Sequence, residues 1–303
     1  MENEFLDKVE NNAVVRICVT QKNLRELKEI WSQWDDETKQ LFYYNYGDLP
    51  DLLDIKVDEQ LFRALAQFWN FAYSCFTFGE LDLVPTIEEY TALLHFPRIQ
   101  VDKVYSKAVN VPTFVKKLMN ILGMSEQWVS AQVKQKGDSK CIPWKSLRDL
   151  ILVHPDIKKK VDVFSLSIYG LMIFPRALGY VDETVTDLFD RLDKRVTPVP
   201  TILAETFRSL SAYRSTGEGR FIGCAQLLLV WFHSHFWKVD KVSYRVFFEN
   251  YSPLKELAAT PRRNNINVEK WMVILQNLKD EDVEWKAPRM VPDEILYRCG
   301  DFD

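Results

Sequence analysis

Arg220 to Lys238, RFIGCAQLLLVWFHSHFWK, decides how the rest of the chain is read. Between its two terminal bases almost every residue is apolar or aromatic, so no side of a helical wheel is left for water, the pattern of a helix packed on all sides. Gln226, His233, Ser234 and His235 interrupt the run. Its uninterrupted apolar part is nearer the ~10–14 residues of a buried core helix than the ~20 of a membrane span. The stretch is therefore read as the central core helix. A second run, Val161 to Phe174, VDVFSLSIYGLMIF, predicts another buried helix packed near the first. Pro175 ends it, because proline lacks an amide and clashes with the preceding turn.

Working outward, helical spacing recurs through most of the chain. Leu24, Leu27, Trp31 and Trp34 set one helix, and Asp35 or Asp36 caps a second carrying Leu41 and Tyr44 and ending near Gly47. Leu61, Leu65, Phe68 and Trp69 predict a helix over about 57–73. Further helices are expected over 113–122, with Gly123 as stop, and over 126–136, 143–153, 181–192, 202–213 and 268–278. GDSK at 137–140 reads as a polar turn and 215–219 as a hinge. Residues 13–20, AVVRICVT, are β-prone or an irregular lead; 98–110 carry no clear pattern, and 244–251 and the tail continue the chain.

One piece is not helical. In CFTFGELDLVP, Gly79-Glu80 forms a two-residue loop between Phe76-Thr77-Phe78 and Leu81-Asp82-Leu83, and glycine-first loops suit tight hairpins. Phe78 then opposes Leu81 and Phe76 opposes Leu83 on one face, with Thr77 and Asp82 on the other. Thr86-Ile-Glu-Glu89 supplies a capping box for a helix running to His95 or Phe96. The fold class expected is mainly α: a single large helical domain around a buried central helix, with one small β-hairpin. Its segments are an N-terminal lead and first helix (1–34), a helical core (35–240) and a C-terminal extension of the same domain (241–303).

Composition agrees. Of 303 residues, 47% are apolar and 13% aromatic, ample for a core, and only ten are glycine, which disfavours a Gly-rich nucleotide fold or a turn-dense sandwich. Lys and Arg number 39 against 43 Asp and Glu, so the formal charge of -4 supplies no global field towards nucleic acid, and such binding would need a local patch. Cys18, Cys75, Cys141, Cys224 and Cys299 show no CxxC spacing, and MENEFLDKVENN is unlike a targeting sequence. Reduced thiols in an intracellular compartment are expected. The stretch from Pro292 to Tyr297 begins another short helix and the chain then stops abruptly, as a piece of something longer would.

The residues capable of chemistry form no reaction centre in sequence. His233 and His235 point roughly 200° apart on a helix, so they cannot share a metal as an i, i+4 pair can, and are read as core or boundary histidines. A pyridoxal enzyme needs a Schiff-base lysine and a phosphate cup on an α/β scaffold, and that alternation of strands and helices is missing. No GxxxxGK[ST] loop occurs, and Gly217-Glu-Gly219 reads as a hinge. Cys75, Cys141 and Cys224 could be paired on paper with His95, His154 or His233, yet nothing places any of them together. No catalytic, cofactor-binding or metal residue is assigned, and no cofactor is expected. The candidates for nucleic-acid contact are Lys158, Lys159 and Lys160 with Arg262 and Arg263, since phosphate contacts need only positive charge. The tryptophans recur beside Leu and Phe at core spacing, as packing anchors do.

Three segments in order resemble the plant mobile domain family. FTFGELDLVPTIEEYTALLHF (76–96) is similar to its F-G-E turn and T-x-E-D-V-x-x-L-L helix. VDVFSLSIYGLMIFPRALG (161–179) resembles its L-x-L-x-x-x-L-F-P helix, and LAETFRSLSAYRSTGEGRFIGCAQLLLVWFHSHF (203–236) its final helix pair. The likeness spans roughly 35 to 240, and its order is more specific than any one motif. This chain has Val230-Trp-Phe-His-Ser-His-Phe236 where that family commonly shows a Trp-Ala-Trp-Glu-Arg-Phe-like run, the mark of a divergent, transposon-associated branch. The resemblance implies a non-enzymatic helical interaction domain of a transposon-derived plant protein, despite the family's aminotransferase-like label. It further implies a nuclear setting linked to transposon silencing or meristem maintenance. Protein partners are expected, with no membrane and no small-molecule substrate; the alternative is a nucleic-acid-binding accessory domain of a retrotransposon protein.

Overall fold

Leu24, Leu27 and Ile30 are buried along one face of α1 (Gln21–Gln33), which is why that stretch is a helix. The computed structural model describes residues 16–17, 21–96, 113–192, 197–216, 220–236 and 266–283, with positions 252, 254, 255 and 258. Asp35 starts α2 (Asp36–Tyr46) by accepting the Thr38 amide at 2.8 Å. Phe42 and Tyr46 face inward on α2, whereas Tyr44, expected in the apolar stripe, is 79% exposed. Gly47 ends α2 at φ +62°, where an added Cβ would lie 2.3 Å from the Leu94 carbonyl oxygen. The Asp48 amide donates to that oxygen at 2.8 Å, so glycine is required for the two backbones to meet.

A 3-10 turn (Leu49–Asp54) leads to α3 (Glu59–Gln67), capped by Asp58. The helix expected to reach residue 73 stops there, because Trp69 and Asn70 form β2 and pair with Phe76 and Cys75. Apolar spacing up to Trp69 fits either element, and the Asn70 side chain accepts the amides of Ala72 and Tyr73, which makes a turn. The hairpin of β3 (Cys75–Phe78) and β4 (Leu81–Leu83) has the expected register, Phe78 opposite Leu81 and Phe76 opposite Leu83. Those four side chains are buried, while Thr77 donates to Asp82 at 2.7 Å on the opposite face. The capping box at Thr86 and Glu89 opens α4 (Ile87–Leu94).

α5 (Phe114–Leu122) and α6 (Glu126–Gln132) follow. The helix read to residue 136 ends at Gln132, since β5 (Lys134–Lys136) pairs with β6 (Ser139–Pro143). Likewise Val181 and Asp182, expected to open a helix, belong to β7 (Tyr180–Asp182), the third strand of this sheet, ahead of α9 (Glu183–Leu192). The mainly α class holds, with two three-stranded antiparallel sheets and a two-stranded parallel pair among the described residues in place of one hairpin. Between the strands lie α7 (Trp144–Val153) and α8 (Ile157–Ile168), the latter continued by a π turn (Tyr169–Ile173). At Gly170 an added Cβ would come 2.5 Å from Val181, so its missing side chain lets β7 lie against that turn.

α10 (Val199–Thr216) leads into the organising stretch. Arg220 and Phe221 are not helical but form β8, paired in parallel with β1 (Arg16–Ile17). The helix proper is α11 (Ala225–Phe236), and every residue from Ala225 to His235 is buried. Phe76 meets Trp231 at 5.8 Å between centroids, and Phe78 meets Phe232 and Phe236. α8 takes other immediate neighbours: Phe164 stacks on Trp31 and tilts against Trp34, with Phe42 edge-on. Both helices belong to one continuous core, which runs from Leu24 to Val283 and includes Leu275 of α12 (Val268–Gln276). The readings at 98–110, 217–219, 244–251, 261–265 and 292–297 lie outside the described residues.

α5 and α9 are joined by an ion pair between buried Lys117 and Asp187, which also holds Arg191 at 3.2 Å. Removing one partner of a buried pair leaves the other charge uncompensated. Asp187→Ala is therefore expected to lower stability by about 3 kcal/mol or more, read as a shift in the urea midpoint. A loss within experimental error would mean that the pair does not join the helices.

Candidate functional site

Lys158, Lys159 and Lys160 sit together in the first turn of α8, but two of them have structural work. Lys159 donates to the Asn120 carbonyl at 2.6 Å and lies 3.5 Å from Asp162. His154 Nε2 donates to the Leu122 carbonyl at 3.0 Å while its Nδ1 accepts the Asp156 amide. Together they close the C-terminus of α5, where orphan carbonyls and the helix dipole favour cations. Lys160 lies 5.6 Å over the Trp34 ring, leaving Lys158 as the solvent-directed member. Arg262 and Arg263 fall outside the described residues.

Two polar nodes tie segments far apart in sequence. At the first, Glu89 accepts the Thr86 amide at 2.9 Å, the Trp231 indole at 2.9 Å and His235 Nε2 at 2.8 Å. Burial alone would raise this carboxyl, but the bonds from His235, the Thr86 amide and Trp231 outweigh it and hold it below its ordinary value. At the second, buried Asp51 accepts from Tyr43 at 3.0 Å and from Ser252 at 3.1 Å, with the Lys255 ammonium 3.7 Å away. Burial pushes Asp51 up to about 6; Lys255 opposes this, Asp48 adds to it, and the bonds from Tyr43 and Ser252 oppose it. Asp48 in turn holds His95 Nδ1 at 2.8 Å. The capping box was legible at Glu89; its partners on α11, 142 and 146 residues away, had no sequence signal.

Residues 25–303 match the family described as a domain of unknown function, DUF7745. The chain belongs to the DUF7745 family. No curated protein and no solved structure matches it.

In this DUF7745 chain the Asp51 node has the ingredients of a proton-transfer site, a carboxyl of raised pKa beside a tyrosine and a lysine. Its carboxylate oxygens are nevertheless occupied by Tyr43, Ser252 and Lys255. A cleft of about 80 Å³ lies elsewhere, lined by Phe174, Arg176, Thr184, Leu188, Thr201 and Glu205 among others, and includes none of the node. Its charged walls are engaged too: Arg176 donates to Thr184 at 3.2 Å and Glu205 accepts twice from Arg208. The three described thiols are held protonated. Burial pushes Cys224 up to about 12 and raises Cys75 and Cys141. Among the described residues no three His, Cys, Asp or Glu side chains are grouped to hold a metal.

Both nodes are testable. Glu89→Ala strands three donors, each worth ~1–3 kcal/mol when buried without an acceptor. It is expected to destabilise by about 3 kcal/mol or more in chemical denaturation, and Glu89→Gln, which keeps one acceptor oxygen, by less. Equal, small effects would remove Glu89 from its role. For Asp51, the folded chain holds its proton up to about 6, while the ordinary value is 3.8. Between these values the folded state binds more protons, so the contribution of Asp51 to stability falls as pH rises through the window. Relative to Asp51→Asn, the native chain should lose on the order of 2 kcal/mol between about pH 4 and pH 7. A pH-independent difference would contradict the shift.

Proposed function

We propose that this chain is a non-enzymatic helical interaction domain of a transposon-derived plant protein, working in the nucleus by binding protein partners. The observation that carries this reading is where the reactive groups are spent. Glu89, Asp51, Asp48, Lys117 and Asp187 are engaged as ties between segments, and the three described thiols are raised, not activated. Large apolar side chains meanwhile face water at the corner joining α7 to α8, where Val153 is 76% and Ile157 53% exposed beside exposed Leu152. An exposed apolar group of this kind suits contact with another protein. The resemblance to the plant mobile domain supplies the transposon and nuclear setting, and with it a link to silencing or meristem maintenance.

The test is affinity purification from nuclease-treated plant nuclei, comparing the native chain with Val153→Glu, a change at a solvent-facing position. The expected result is a set of proteins retained by the native chain after nuclease and lost with the variant. Recovery that vanishes with nuclease, or a stoichiometric cofactor in the purified chain, would overturn the reading.

A further inference from the structure

A cluster of lysines free to meet an anionic partner lies on the β5–β6 ribbon and beside it. Seven consecutive residues, Lys134 to Lys140, are exposed, and they carry Lys134, Lys136 and Lys140 against one acid, Asp138. Lys145 follows in the first turn of α7, where the helix dipole is positive. Among the described residues none of these four lysines has a carboxylate within ion-pair distance, in contrast to Lys117, Lys159 and Lys255. Lys136 rests 4.7 Å over the Tyr180 ring, which leaves its charge uncancelled.

The ribbon is also stiff at its base. Cys141, Ile142 and Pro143 of β6 pair with Asp182, Val181 and Tyr180 of β7, and Cys141 and Ile142 are fully buried. Its free end is a two-stranded antiparallel arm, with Lys134 opposite Cys141 and Lys136 opposite Ser139 on one face and Lys140 opposite Gln135 on the other. Lys134 and Lys136, two residues apart on one face, are separated by ~6.8 Å along the strand. A two-stranded ribbon is of a size that the major groove of a duplex admits.

We infer that the β5–β6 ribbon is a nucleic-acid-binding arm, which places Lys134, Lys136 and Lys140 on the phosphate backbone of a duplex without reading its sequence. The arm supplies the local patch that a chain of formal charge -4 needs for such binding. It is built on other elements than the 158–160 cluster, and it stands independently of the protein-binding reading.

The test is the affinity of the full chain for a 20-base-pair DNA duplex of arbitrary sequence, measured by fluorescence anisotropy across a salt series. The triple variant Lys134→Gln, Lys136→Gln, Lys140→Gln and the control Lys158→Gln are compared with the native chain. These side chains are exposed, and circular dichroism and thermal melting check that each variant is folded. The triple variant is expected to bind at least tenfold more weakly at moderate salt, with the slope of log affinity against log salt reduced by ~3, about one per lost phosphate contact. Lys158→Gln should change neither by more than one such contact. The proposal is overturned by any of three results: no binding by the native chain at low salt, equal losses from the triple and control variants, or equal competition by polyglutamate of matched charge.

Discussion

Glu89 closes the polar edge of an otherwise apolar helix. α11 buries Leu227 to Phe232 without a hydrophilic face, and the N–H groups of Trp231 and His235 must find acceptors inside the protein. A single carboxylate receives both, one turn apart on α11, while its own position is set by the capping box that begins α4. The same side chain therefore fixes where α4 starts and how it lies against α11. The aromatic contacts of Phe76 and Phe78 hold the helix from the hairpin side.

The other sector is built on the same principle. Phe164 fills the space among Trp31, Trp34 and Phe42, and Asp162, two residues earlier in the buried part of α8, accepts from Tyr46 at 2.8 Å. His154 and Lys159 finish the end of α5, and Lys117 with Asp187 joins α5 to α9. Asp162, His154, Lys159, Lys117 and Asp187 are thus placed where they satisfy a helix end or tie helices together. Such ties specify which helices meet more than they add to net stability, because desolvation offsets much of their attraction.

What the sequence disclosed followed local rules. The register of Phe76 and Phe78 against Leu83 and Leu81 came from a two-residue loop and alternation, and the Thr86–Glu89 box from spacing three apart. Where two elements share a pattern, periodicity could not choose: Trp69 and Lys134–Lys136 were assigned to helices but belong to strands, whose partners lie beyond a turn. Tyr44 sits at an i+3 spacing from Leu41 yet faces water, because Phe42 and Tyr46 hold the buried face of α2. The candidate site was less legible still. Three adjacent lysines looked like a phosphate contact, but the groups that occupy Lys159 and Lys160, the Asn120 carbonyl and the Trp34 ring, are reached only by folding. The pairing of Arg16–Ile17 with Arg220–Phe221 is of the same kind.

Enclosure of α11 is the claim from which the architecture follows, and hydrogen–deuterium exchange of peptides covering Ala225–Phe236 tests it most directly. The account predicts that these amides exchange only through global unfolding, with protection equal to the stability measured by denaturant. Exchange completed within seconds under native conditions, while other helices stay protected, would contradict it.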